Sequence, residues 1–284
     1  MITVSEADEL RSRIRNWREV GETIALVPTM GALHEGHLAL GRRAAEIADV
    51  VVVSIFVNPT QFGPREDFDS YPRTFDRDEL LEREGCDLLF VPAVETMYAV
   101  DDCTRIEMEG PARGLEGAIR PGHFSGVATV VTKLLNLVRP HFAVFGQKDA
   151  QQLAVVRRLV QDLMLDINII GHPTVREDDG LALSSRNAYL SMAERQAARG
   201  LYRALRAARK RIQAGERTSE VLRQTMRGSV ASEPLIDLEY AEIVDPSSFE
   251  PIEEIEGLAV LVIAASIGRT RLIDNIRIDP DRAV

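Results

Sequence analysis

The sequence predicts an α/β protein in two parts: a larger N-terminal domain (residues 1–175) built on a parallel sheet, and a smaller α+β C-terminal domain (residues 176–284). Three observations carry this. Strand-sized apolar runs alternate with helical periodicity as far as Ile170; Val50–Val57 (VVVVSIFV) is apolar on both faces; and the pattern changes beyond the polar, glycine-containing segment Val175–Asn187. A run apolar on both faces belongs in the middle of a sheet covered on each side. Strands joined through helices give right-handed βαβ units, here in a Rossmann-like arrangement.

In order, Thr23–Pro28 (TIALVP) reads as a short buried strand, and Glu35–Asp49 as a helix with Leu38, Ala45 and Ala48 on its apolar side. After the central strand Val50–Val57, a helix is expected over Phe75–Glu84 and a strand over Asp87–Val91. Phe124–Val138 is helical, His141–Phe145 a strand, Ala150–Leu163 a helix and Asp166–Ile170 a strand. In such sheets ligands bind beyond the carboxyl ends of the strands, which directs attention to Thr29, Asn58 and Gly146 onward. Beyond residue 187, an Ala/Arg-rich helix (Met192–Ala214) and a second helix (Glu220–Ser229) precede three strands, Ile236–Val244, Leu258–Ile267 and Arg271–Ile278. Helices followed by antiparallel-looking strands give the α+β expectation.

The 284 residues suffice for two domains, and 45% hydrophobic against 27% charged residues is an ordinary globular balance. Lys plus Arg number 34 against 44 Asp plus Glu, a formal net charge of −10. That average field disfavours nucleic acid and anionic membranes as partners. A small anionic substrate can still be captured where a few cations and helix N-termini converge. Cys86 and Cys103 have no metal-like spacing and are expected to be reduced, partly buried thiols. The first residues contain no apolar core flanked by basic residues. The longest apolar runs, such as Leu258–Ala265, are strand-sized and too short to span a bilayer. A cytoplasmic location is therefore expected.

No G-x-G-x-x-G follows a strand and no G-x-x-x-x-G-K-[ST] occurs, so neither dinucleotide nor P-loop binding is indicated. Nucleotide chemistry rests instead on Pro28-Thr-Met-Gly-Ala-Leu-His-Glu-Gly-His37, between the first strand and its helix. Gly31 and Gly36 allow close backbone approach, and the helix N-terminus offers N–H groups and partial positive charge to a phosphate. His34 and His37, three apart, share one face of the first turn. They read either as donors to phosphate oxygens or as exposed histidines capping a helix. A zinc pair is disfavoured because the spacing is not H-E-x-x-H and no third ligand stands out.

Further segments sharpen the picture: Ser54-Ile-Phe-Val-Asn-Pro-Thr-Gln-Phe62, Gly122-His-Phe-Ser-Gly-Val127, Phe145-Gly-Gln-Lys-Asp-Ala-Gln-Gln-Leu153 and Arg176-Glu-Asp-Asp-Gly-Leu-Ala-Leu-Ser-Ser-Arg-Asn187. Tyr240–Asp245 and Arg271–Asn275 add to them. In this order, and over nearly the whole chain, these segments resemble the pantothenate synthetase family of the nucleotidyltransferase superfamily. The resemblance implies an ATP- and Mg²⁺-dependent ligase condensing pantoate with β-alanine through a pantoyl adenylate, with release of AMP and pyrophosphate. It also implies a homodimer, an ATP- and pantoate-binding N-terminal domain and a C-terminal lid.

Roles follow residue by residue. The resemblance casts Met30, Gly31, Ala32, Leu33, His34, Glu35, Gly36 and His37 as the ATP loop, with His37 as proton donor. Lys148 is a compact cation suited to charge moving onto pyrophosphate, with an ordinary surface lysine as its alternative. Gly146 and Asp149 match positions that contact the ribose, with Gln147 between them in the same ATP-binding segment; Asp149 also reads as a helix cap. Gln147 stands where an acidic residue is frequent, which implies a change of local polarity. Gln61 and Gln152 would face pantoate, the former also β-alanine. Val175 would contact adenine. Ser184, Ser185 and Arg186 would meet the phosphates, or form an ordinary capping turn, and Leu183 belongs to the same ATP-binding segment. Arg120 and His123 are expected to serve helix entry first, and the run Glu177-Asp178-Asp179 to be a solvated hinge and not a metal cage.

Overall fold

A computed structural model describes residues 1–64, 68, 71 and 78–280. The first sheet has six strands: β1 (Ile2–Val4), β2 (Ile24–Thr29), β3 (Val50–Ile55), β4 (Leu88–Phe90), β5 (Phe142–Gly146) and β6 (Asn168–His172). Their order is β1-β4-β3-β2-β5-β6, and every pairing is parallel. Among the described residues, helices α1 (Ala7–Glu19), α2 (Glu35–Ala45), α3 (Asp78–Arg83), α4 (Val94–Met97), α5 (Leu115–Ile119), α6 (His123–Val138) and α7 (Ala150–Asp162) intervene. All six residues of β3 are buried, as the doubly apolar run predicts. The strand order reverses between β2 and β5, so the segments leaving them diverge and leave room for a ligand.

The chain divides into two compact units. Unit 1 comprises Met1–Gln147 and Val155–Pro173; unit 2 comprises Lys148–Ala154 and Thr174–Val284. Unit 1 contains an apolar core with Val27, Leu38, Val51, Val53, Leu89 and Val144 at its centre. In unit 2, α8 (Met192–Gln213) and α9 (Ser219–Val230) precede β7 (Ile236–Val244), β8 (Ala259–Ile267) and β9 (Thr270–Ile278). These strands form an antiparallel sheet in sequential order. Ile267 pairs with Thr270, so only two residues turn the β8–β9 hairpin, and Gly268 supplies the positive φ (59°). Leu201, Leu205, Leu222, Met226, Ile243, Leu261 and Ile263 make this unit's core. Ser191 caps α8 by accepting from the Glu194 N–H (3.3 Å), and Glu194 accepts from the Ser191 N–H (2.8 Å), a reciprocal capping box.

Several boundaries depart from the sequence-based expectation. The α2 helix stops at Ala45 and not Asp49, and buries Leu38, Ala39, Leu40, Gly41 and Ala44; Ala45 is exposed. The reason lies in Asp49, whose carboxylate accepts from both the N–H (2.9 Å) and hydroxyl (2.6 Å) of Thr23 and so ties the connecting turn to the start of β2. β3 ends at Ile55, because Asn58 opens a 3₁₀ turn at Pro59–Gln61. The expected helix Phe75–Glu84 is present as α3, its residues 75–77 lying outside the described residues. The strand β1 and the helix α1 are not foreseen at all. Cys86 is buried and Cys103 exposed; burial pushes the Cys86 thiol up to about 12. Among the described residues, no helix is long and apolar enough to cross a membrane.

Candidate active site

The loop after β2 is set by buried Thr29, whose hydroxyl donates to the Ser54 carbonyl (2.8 Å) and accepts from the Gly31 N–H (3.3 Å). Gly31 takes φ +87°, where a side chain would be strained and pressed against Ile55. His34 then caps α2. Its Nδ1 accepts from the Gly36 N–H (3.1 Å), while the His37 Nδ1 accepts from the His34 N–H (3.3 Å). The two rings lie 4.1 Å apart, centroid to centroid. An imidazole nitrogen that accepts carries no proton, so each neutral ring holds its proton on Nε2. The capping reading is thus met through Nδ1 of both residues, while the phosphate-donor reading concerns the other ring nitrogen.

Gln61 sits in a polar cradle within unit 1. Asn58, 1% exposed, donates to Gln61 Oε1 (3.2 Å) and the Gly126 carbonyl (3.1 Å), and accepts from the Tyr98 hydroxyl (2.8 Å). Gln61 Nε2 donates to Met30 Sδ (2.7 Å), which joins this residue to the ATP-loop candidate. The Gln61 main-chain carbonyl accepts from His123 Nδ1 (2.8 Å), and Arg120 Nη1 lies 3.1 Å from His123 Nε2. Since a carbonyl only accepts and a guanidinium only donates, these two bonds fix the His123 tautomer. Arg120 and His123 do enter α6, with Gly122 at φ +84°, but their side chains also hold Gln61. Gly126 has no room for a Cβ, which would collide with the Thr60 carbonyl and the Gln61 amide. A 220 Å³ cavity beside this cradle is walled by Met30, Gly31, Ile55, Phe56, Val91 and Pro92. Tyr98 carries no local signal in the sequence; Asn58 and Gly126 lie within the segments Ser54–Phe62 and Gly122–Val127 that the sequence singles out, but without roles of their own there.

Gly146 closes β5, and the Gln147 amide donates to the Gly171 carbonyl of β6 (3.1 Å), so this uncharged residue also ties two strands together. Lys148 and Asp149 occupy the single turn that leads into α7, Asp149 exposed and Lys148 half-buried. In unit 2 the Lys148 carbonyl accepts from Asn275 Nδ2 on β9 (2.8 Å). Gln152 is half-buried on the first turns of α7.

The segment 175–187 is a narrow hairpin, closed by Leu183 N–H to the Val175 carbonyl (3.0 Å) and Glu177 N–H to the Leu181 carbonyl (2.9 Å). The solvated-hinge expectation fails for Glu177 and Asp179. Arg195 on α8 binds Glu177 (2.5 Å) and Asp179 (2.8 Å), and Arg199, one turn on, lies 3.4 Å from Asp179. The Arg195 hydrogen bond holds the Asp179 carboxyl below its ordinary range. Arg176 forks onto Asp274 (2.7 and 2.8 Å), donates to the Gly180 carbonyl (3.1 Å) and lies 3.9 Å over the Tyr202 ring. Burial pushes the Asp274 carboxyl up, and Arg176 opposes that push. Ser184 caps the turn Ser185–Tyr189 by accepting from the Arg186 N–H (3.3 Å), as the capping alternative predicts.

Unit 1 therefore joins Met30 to Gln61 and sets His34 beside His37 at the start of α2, with Gly146 and Gln147 at the end of the neighbouring strand β5. Unit 2 holds Lys148, Asp149, Gln152, Val175 and Leu183–Arg186. Among the described residues no group of three or more His, Cys, Asp or Glu side chains is placed to hold a metal ion.

Comparison with known proteins gives a consistent answer. The family described as pantoate–β-alanine ligase matches residues 2–277. The chain is 51% identical over 276 residues to pantothenate synthetase from Pelotomaculum thermopropionicum, covering 97% of this chain and 98% of that one. It is also 51% identical to the Thermotoga petrophila protein of the same description, covering 97% and 99%. Among solved structures it resembles pantothenate synthetase from Thermus thermophilus (TM-score 0.92, 47% identity, 97% and 99% covered). A pantoate–β-alanine ligase from Francisella tularensis, complexed with β,γ-ATP and β-alanine, is similar at TM-score 0.79 and 35% identity, with 100% and 99% covered.

Proposed function

Because the chain belongs to the pantoate–β-alanine ligase family, an enzyme family that forms an amide bond, we propose that it condenses pantoate with β-alanine through a pantoyl adenylate at the expense of ATP. The observation that carries this reading is the reciprocal cap of α2, which seats the His34 and His37 imidazoles side by side at the start of the helix that follows β2, their rings 4.1 Å apart. Two ring donors on the first turn of a helix suit the oxygens of a triphosphate. The β,γ-ATP and β-alanine held by a relative support both as ligands here.

In the first step a pantoate carboxylate oxygen attacks the α-phosphorus, and the bond to the bridging oxygen breaks to release pyrophosphate. In the second the uncharged amine of β-alanine attacks the acyl carbon, AMP leaves, and the amine's surplus proton passes to solvent. The substrate carboxylate is the nucleophile, so the protein's task is positioning and charge neutralisation. His37 and His34 donate to the oxygens that gain charge, and Lys148 offsets the charge moving onto pyrophosphate. Gln61 and Gln152 present amides to pantoate, Gln61 also to β-alanine; the apolar cavity beside Met30 suits pantoate's methyl groups. Gly146 and Asp149 take the ribose, Val175 the adenine, and Ser184, Ser185 and Arg186 the phosphates, with Gln147 and Leu183 completing the ATP-binding segments. Mg²⁺ would arrive on the ATP phosphates, held by their oxygens and water, and shields their charge when bound. A cytoplasmic homodimer with a C-terminal lid completes the reading, on the strength of the family resemblance.

The test is to incubate the protein with ATP, Mg²⁺, pantoate and β-alanine and identify the products. AMP and pyrophosphate, dependent on pantoate, are expected; ADP, or no turnover, sinks the reading. Pantoate alone should support exchange of labelled pyrophosphate into ATP, and its absence would count against the adenylate. His37→Ala and Lys148→Ala should each lower turnover by roughly 10²–10³, the scale of one lost transition-state stabiliser.

A further inference from the structure

The dipeptide Asp274–Asn275 lies on β9, far from Lys148 in sequence, yet it is buried and bonded to both ATP-side segments of unit 2, to the Lys148 carbonyl in one and to the Arg176 guanidinium in the other. Asp274 is 4% and Asn275 7% exposed. Asn275 Nδ2 donates to the Lys148 carbonyl at 2.8 Å. Asp274 takes the Arg176 fork and accepts from the Asn275 N–H (2.7 Å), while Arg176 Nη2 also reaches the Asn275 carbonyl (3.1 Å). A strand residue in a paired sheet is a rigid post, since β9 is bonded to β8 along its whole length. By contrast Lys148 sits in a single 3₁₀ turn ahead of α7, to which the Asn275 amide adds a bond from outside.

We propose that Asn275 is a positioning residue for catalysis: its side-chain amide fixes the Lys148 backbone, while Asp274 and Arg176 hold the Asn275 main chain and tie the hairpin 175–187 to the same strand. This rests on the reading above, in which Lys148 meets the phosphates. A lysine is a point charge on a flexible stem, so the placement of its Cα decides how often the ammonium reaches the developing charge. Errors of about 1 Å in such placements cost up to about a hundredfold in rate.

The experiment uses the full-length enzyme and measures pantoate-dependent pyrophosphate–ATP exchange and thermal melting for Asn275→Ala, Lys148→Ala and the double variant. Asn275→Ala should lose about tenfold in exchange with its melting temperature nearly unchanged, and the double variant should match Lys148→Ala within about twofold, because a group acting only through Lys148 has nothing left to position. Asn275→Asp keeps the shape and removes the donor, so it should lose exchange likewise and guards against a packing defect in the alanine variant. Full exchange in Asn275→Asp overturns the proposal, as does a double variant tenfold below Lys148→Ala, which would mark an ordinary structural effect. Near-normal exchange in Lys148→Ala would instead sink the functional reading itself, and the proposal with it.

Discussion

The imidazoles of His34 and His37 each give Nδ1 to the backbone at the start of α2, and substitution can separate that capping service from a service to the ligand. Asparagine is a good N-cap whose amide oxygen can stand where His34 Nδ1 accepts from Gly36. His34→Asn should therefore melt like the parent yet lose about a hundredfold in kcat/KM for ATP, whereas His34→Ala should lose both activity and stability. Differential scanning fluorimetry beside steady-state kinetics would check this; an Asn variant with parental kinetics would leave His34 as a cap alone. Gly126 makes a second residue-scale case. A methyl there must displace the turn Pro59–Gln61, so Gly126→Ala should raise KM for pantoate and β-alanine more than KM for ATP. A uniform loss for all three substrates would contradict that placement.

Helix α8 begins with a complete capping box, and its contribution should depend on pH in a definite sense. The Ser191 hydroxyl and amide hold the Glu194 carboxyl below its ordinary range. A carboxyl depressed in the folded state stabilises above its unfolded pKa, and that stability is lost as pH falls through the folded value. The melting difference between the parent and Glu194→Gln should thus be full at pH 7 and shrink below about pH 4. Ser191→Ala removes the other half and should lower Tm by about 2–4 °C. At this scale the sequence was readable where the signal is local. The doubly apolar β3, the three strands of unit 2 and the loop Pro28–His37 each sit on contiguous residues. The three-residue β1 is shorter than any periodicity can register, and the end of α2 depends on the Thr23–Asp49 clip, a bond across 26 residues. The site divided in the same way. The support of Gln61 comes from Tyr98 through Asn58, 40 residues apart, and from His123, 62 residues away. Partnerships at such distances leave no spacing to recognise. Glu177 and Asp179 looked like solvent-facing charge because Arg195 and Arg199 are their partners only once α8 has folded.

Each unit encloses apolar clusters of its own, so damage should be read locally before it is read globally. Leu205→Ala in unit 2 and Leu89→Ala in unit 1 each empty a fully buried site, at a cost of about 2–5 kcal/mol. Amide hydrogen exchange should accelerate first within the unit that carries the substitution. Equal acceleration in both would mean that the units open as one cooperative body. The negative charge of the whole chain gives a further expectation, namely no retention on immobilised duplex DNA at physiological salt. The two cysteines, finally, turn the native protein into its own reporter. With one thiol open to solvent and the other enclosed and reluctant to ionise, a maleimide dye should attach at Cys103 alone without any prior mutagenesis. The later appearance of a second reactive sulfur would clock the opening of the layer behind β4.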